Sequence, residues 1–147
     1  MKTRGEPLYF PGPAAAWAPI YQATDADLLS RAIDWAAATP SADGEIFNIT
    51  NGDFFRWRNL WPRLAEVFEM PVDGPRDVKL VEVMADAETD WRQLTAAHGL
   101  VPNRLAEMVS WPFADYVFNT TWDVLADTLK CRRHGFLAVS YTHLRAH

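Results

Sequence analysis

The chain has 147 residues, 49% of them hydrophobic and seven of them tryptophan, enough to bury roughly two-thirds of its unfolded surface and too apolar for a disordered segment. A net charge of -5 argues against a general nucleic-acid or anionic-membrane surface. The single cysteine, Cys131, excludes an internal disulfide, and no apolar run nears the ~18 residues of a bilayer span.

In chain order, Met1–Arg4 is basic, but Gly5-Glu6-Pro7 comes where a signal peptide needs an apolar core, so a cytoplasmic protein is expected. Pro7–Pro13 (PLYFPGP) predicts an extended or turning path, and Ala14–Gln22 a strand or coil. Thr24 and Asp27 suggest a capping box, opening an amphipathic helix on Leu28, Leu29, Ala32, Ile33, Trp35 and Ala36 that stops before Pro40. Glu45–Thr50 has the length and the β-branched and aromatic content of a buried strand, through Ile46, Phe47 and Ile49. Asn51-Gly52 marks a turn, and Asp53 is a candidate cap for the next helix.

Trp57, Leu60, Trp61, Leu64, Ala65 and Phe68 recur at helical spacing. Pro62 requires either a kink in that helix or a regular part beginning near Leu60. Helix, strand and helix through Phe68 predict an α/β fold, one flank of a doubly wound sheet. Glu69–Lys79, broken by Pro71, Gly74 and Pro75, reads as a linker. From there the chain reads as helix-rich: a short face at Leu80, Val81 and Met84, then Trp91, Leu94 and His98 before Gly99. A short helix comes next through Leu105, Met108 and Val109, and a longer one from Phe113 to Leu129 closes on Lys130, Arg132, Arg133 and His134 before Gly135. Val139–His147 has no periodicity, resembles translated adaptor read-through, and is set apart from the fold. The expected division is residues 1–70 as α/β units, 71–138 as a helical region and 139–147 as a non-native tail.

The residues alone offer no chemistry. No G-x-G-x-x-G or G-x-x-G-x-x-G occurs, and none of Tyr9, Tyr21, Tyr116 and Tyr141 has a lysine four positions on. Asp86, Glu88 and Asp90 lack the calcium-loop pattern, and His98 has no second ligand at metal spacing. The basic run Lys130–His134 lies at a helix C-terminus, which disfavours anions. No catalytic, cofactor or metal residue is therefore expected within the chain. Its tryptophan-rich faces would also suit a stand-alone hydrophobic-ligand or protein-interaction module.

FNITNGDFFRW together with LWPRLAEVF resembles the C-terminal part of the progesterone 5β-reductase/iridoid synthase-like reductases, extended members of the short-chain dehydrogenase/reductase superfamily. The flanks agree: PLYFPGP with Trp17, TDADLLSRAIDWAA, Met84 and Trp91 seven apart, HGL at His98–Leu100, WPFAD at Trp111–Asp115, and Lys130, Arg132, Gly135 and Phe136 as K-x-R-x-x-G-F. The resemblance implies the C-terminal part of a Rossmann-like enzyme that uses NADP(H) or NAD(H) to reduce an enone-type C=C bond of a small apolar, carbonyl-conjugated substrate. Hydride would go to the β-carbon while a tyrosine hydroxyl steadies the enolate oxygen. It also implies that the nucleotide-binding half and the catalytic Tyr and Lys precede this stretch, leaving this piece inactive alone. Phe113 matches the phenylalanine that lines the family's substrate pocket, with Tyr116 and Val117 on the same helical face. From periodicity alone Phe113 and Val117 read as core residues, and only the resemblance brings the pocket reading level with that one. An epimerase or dehydratase of the same superfamily is a further reading.

Overall fold

The computed structural model describes residues 5–138. The expectation of a non-native tail at Val139–His147 lies outside them. Strands and helices are mixed along the chain, an α/β arrangement, and they gather into two compact units, each built from two separate stretches.

One unit combines the residues up to Pro19 with Trp57–Trp122. Strand β1 (Leu8–Phe10) is the extended segment expected from PLYFPGP, and it pairs in parallel with a strand at Val72–Pro75. The pairing is closed by hydrogen bonds from Leu8 N–H to the Pro71 carbonyl (2.7 Å) and from Arg76 N–H to the Phe10 carbonyl (2.8 Å). That second strand was expected to be linker. Gly74 and Pro75 are tolerated because, among the described residues, each strand has one neighbour only, so a missing donor can face away from the ladder.

The unit's core forms where Phe10 inserts among Trp17, Trp57, Trp61 and Phe118, with ring centroids 4.9 to 5.9 Å from its own. Two of these rings come from the helix Trp57–Val67, whose inner face is Trp57, Trp61, Leu64 and Ala65. The helix runs through Pro62 from Trp57 rather than starting near Leu60, and Phe68 falls beyond its end, exposed. Its start at Trp57 leaves Asp53 short of the capping position. The Trp61 indole N–H donates to the Leu8 carbonyl (3.3 Å), fixing the helix against β1.

The other unit combines Ile20–Arg56 with the chain from Asp123. Strand β2 (Ile20–Tyr21) and β3 (Phe55–Arg56) form an antiparallel pair; the Val72–Pro75 strand is thus β4. Helix α1 (Ala26–Ala38) has the predicted length, but its cap is Asp25, whose carboxylate accepts from the Asp27 and Leu28 amides. Thr24 instead donates its hydroxyl to the Ile49 carbonyl (2.8 Å). Leu28 and Ala32 pack with Cys131 and Phe136, flanked by Trp35, Phe47 and Ile49.

The strand expected at Glu45–Thr50 is absent. Its alternation survives, with Phe47 and Ile49 inward and Ile46 84% exposed. What it lacks, among the described residues, is a neighbouring strand to complete a ladder. This part of the chain is tied to 22–25 by separate bonds, such as Asn51 N–H to the Ala23 carbonyl (3.0 Å) and Asp25 N–H to the Asn51 side chain (2.6 Å).

Helix α2 (Trp57–Val67) is succeeded by α3 (Leu80–Val83), α4 (Ala87–His98), α5 (Leu105–Met108), α6 (Trp111–Phe118) and α7 (Leu129–Arg133). The single long helix expected from Phe113 to Leu129 is split into α6 and α7. Asn119 and Thr120 end α6 by turning their side chains back to the carbonyls of Asp115 (2.7 Å) and Tyr116 (3.0 Å). Among the described residues no helix is long and apolar enough to cross a membrane.

Candidate functional site

The three residues singled out by sequence all lie on α6. Its first turn carries Trp111 and Pro112, where a proline's missing N–H costs nothing because that amide has no helical partner. The helix has two faces of opposite use. Phe118 turns into the Phe10 and Trp61 cluster, and its carbonyl oxygen lies so close to Gly12 that a β-carbon there would overlap it. Phe113 and Tyr116 sit one turn apart on another face, with rings at 29° and centroids 6.5 Å apart. They are 66% and 62% exposed, so neither is a core residue of this unit. Val117 is half-buried beside them.

The orientation of α6 is set at both ends. Gly12 pins its C-terminus, and Asp115 ties its middle to α3. One Asp115 carboxylate oxygen accepts from Leu80 N–H (2.6 Å) and the other from Val81 N–H (3.1 Å), two amides of the first turn of α3 that have no partner within their own helix. Val81 then lines an open depression with Met108, Trp111 and Pro112, next in the chain to Phe113. Sequence reasoning missed Asp115 and Val81. The only available signal was an acidic residue on an otherwise apolar helix, WPFADYVF.

Other motif residues serve local structure. Trp91 donates its indole N–H to the Asn103 carbonyl (2.8 Å), and Glu88 accepts from Leu105 N–H (2.9 Å), together fixing α5 beside α4. Gly99 ends α4 in the left-handed conformation, with φ of 60°. Gly135 does the same after α7, and its N–H and that of Phe136 bond back to the Arg132 and Cys131 carbonyls. Lys130 bonds to Glu45 (2.5 Å) and stands 5.2 Å above the Phe47 ring. That hydrogen bond, with the ammonium charge, holds the Glu45 carboxyl below its usual value. Cys131 is buried and donates to the Thr128 carbonyl.

Among the described residues no helix opens on a glycine-rich turn that would bring amides around a pyrophosphate.

No family model matches the chain. Individual relatives do. Over 139 residues it is 33% identical to an (S)-8-oxocitronellyl enol synthase of Antirrhinum majus, and over 141 residues 37% identical to one of Nepeta racemosa. Over 140 residues it is 36% identical to a 3-oxo-Delta(4,5)-steroid 5-beta-reductase of Arabidopsis thaliana. Along this stretch the chain is similar to the progesterone 5β-reductase/iridoid synthase-like enzymes. Each of these matches covers 92% of the chain and 36% of the relative's length. Phe113 and Tyr116 are among the large apolar residues of their unit left exposed, together with Phe68, Val101 and Trp122.

Proposed function

We propose that this chain supplies the substrate-facing part of an NAD(P)H-dependent oxidoreductase that reduces an enone-type C=C bond of a small apolar substrate. Phe113, Tyr116 and Val117 form one wall of its pocket, and the protein works in the cytoplasm. The reading assigns the nucleotide site and the catalytic tyrosine and lysine to residues outside this stretch. Residues 1–70 would then complete a Rossmann-like domain, and 71–138 would form the helical cover.

The observation that carries the proposal is the pair of exposed, stacked rings on α6, in a chain whose relatives are named for 8-oxocitronellyl enol synthesis and steroid 5β-reduction. An aromatic wall accepts a flat apolar conjugated ketone and keeps water from it without adding polar groups that compete for the carbonyl. The bound nicotinamide would supply the hydride. This chain's residues would hold the substrate plane in place. The Rossmann-like part draws support from 45–50, a strand-patterned segment without a ladder, and from the open apolar groove of Leu29, Ile33, Trp35, Phe47 and Ile49. Both are what an edge awaiting a further strand and helix would present.

The test is a graft of residues 5–138 in place of the matching third of the Arabidopsis 5β-reductase. Nicotinamide-dependent loss of the enone absorbance is expected, with Phe113→Ala raising KM about tenfold through lost apolar contact. A soluble graft that turns over nucleotide sugars and no enone would instead assign the epimerase or dehydratase reading.

A further inference from the structure

We propose that the Tyr116 hydroxyl determines substrate selectivity by hydrogen bonding to a second oxygen of the substrate, apart from its enone carbonyl; this rests on the function proposed above. Of the three side chains assigned to the wall, Phe113 and Val117 present only carbon, so the phenol oxygen of Tyr116 is the one polar atom among them. Tyr116 is 62% exposed, and among the described residues its hydroxyl has no hydrogen-bond partner. The end of α6 makes no use of it, since Thr120 donates to the Tyr116 carbonyl and not to the phenol. The indoles of Trp61 and Trp91, in the same unit, are spent on the Leu8 and Asn103 carbonyls.

The selectivity follows from covering that face. Before substrate binds, water satisfies the phenol. Tyr116 stands one turn from Phe113, and their rings lie within 29° of each other with centroids 6.5 Å apart. A flat ring system laid over Phe113 and Val117 therefore takes water away from Tyr116 as well. A hydroxyl that loses its water and gains no partner opposes binding, whereas an oxygen placed against it restores the hydrogen bond. A site with a hydroxyl to satisfy rejects the analogue that lacks the matching group far more strongly than carbon contacts alone can. The enone carbonyl is not that oxygen, because the proposed function gives it to the tyrosine outside this stretch. The preferred substrate is thus oxygenated at two places.

The experiment is an NMR titration of the full 147-residue chain with two 4-ene-3-ketosteroids, identical except that one carries a second ketone at the far end of its ring system. The Phe113 ring and the Val117 methyls are followed. In the wild type both steroids shift these signals saturably, and the diketone binds more tightly. Tyr116→Phe removes one exposed oxygen and keeps the ring, so the Trp57 and Trp61 indole signals should stay as in wild type. In this variant the preference for the diketone is expected to fall about tenfold.

A preference left unchanged by Tyr116→Phe overturns the proposal. That holds if the variant binds both steroids as the wild type does, and equally if it weakens both alike, which would put the shared enone carbonyl on the phenol. In either case the shifts at Phe113 and Val117 leave the proposed wall standing. No saturable shift at Phe113 or Val117 with either steroid in wild type removes both.

Discussion

Gly12 shows how one missing side chain positions a helix. A β-carbon there would overlap the Phe118 carbonyl oxygen and come within 2.8 Å of the Phe10 ring. The first obstacle is backbone and cannot turn away. Gly12→Ala should therefore cost about 2 kcal/mol or more by urea unfolding. Gly74→Ala, at a site with open space around it, should be close to neutral. Equal effects at the two sites would contradict the close approach.

At Glu45 the determining group is Lys130. Its hydrogen bond and charge depress the carboxyl, with a smaller contribution from His134. Lys130→Met should return Glu45 toward the ordinary glutamate value, read by carboxylate NMR titration. Because the folded value lies below the unfolded one, the pair stabilises fully above the unfolded pKa. That contribution disappears as pH falls through the folded value, so wild type and Lys130→Met should converge in stability in acid. Both partners are largely exposed, and raised salt should shrink the difference at neutral pH.

At the scale of elements, α1 and α6 illustrate what periodicity carries. The three-and-four spacing of Leu28, Leu29, Ala32 and Ile33 places α1 correctly, because an amphipathic helix satisfies its own backbone and needs only one buried face. The choice of cap was not legible. Thr24 and Asp25 are both capping residues, and the decision went to Asp25 because Thr24 is drawn to the Ile49 carbonyl from a distant part of the chain. Asp25→Ala should cost about 1 kcal/mol. In hydrogen exchange its effect should be confined to the first turn of α1. Loss of protection across the whole chain would assign Asp25 a larger part than a cap.

Strands behave differently. Each of β1 to β4 exists only by virtue of a partner remote in sequence: Leu8 meets Val72, and Tyr21 meets Phe55. Nothing local distinguishes Val72–Pro75, with its glycine and proline, from a linker. Conversely, Glu45–Thr50 has strand composition and alternation but no adjacent strand among the described residues. The α6 break is a case of the same kind. A helical pattern continues past Phe118, yet Asn119 and Thr120 cap the helix, and the chain passes to the other unit between Trp122 and Asp123.

Over the whole molecule, the aromatic residues separate into two groups that spacing could not assign. Phe10, Trp17, Trp57, Trp61 and Phe118 gather in one unit, while Trp35, Phe47 and Phe136 gather in the other. Each unit joins residues about a hundred positions apart, as Ile20 N–H to Asp123 (2.8 Å) shows in the second. Composition, the place of α1, the left-handed glycines after α4 and α7, and likeness to the 5β-reductase/iridoid synthase-like enzymes were all readable from residue order, since each depends on neighbours along the chain. Which aromatic rings are core and which stand exposed on α6 was decided only by tertiary structure, as was the capping of α3 by Asp115. Burial and hydrogen-bond partnership across long separations are properties of packed surfaces, and a helical stripe has the same spacing whether or not something covers it.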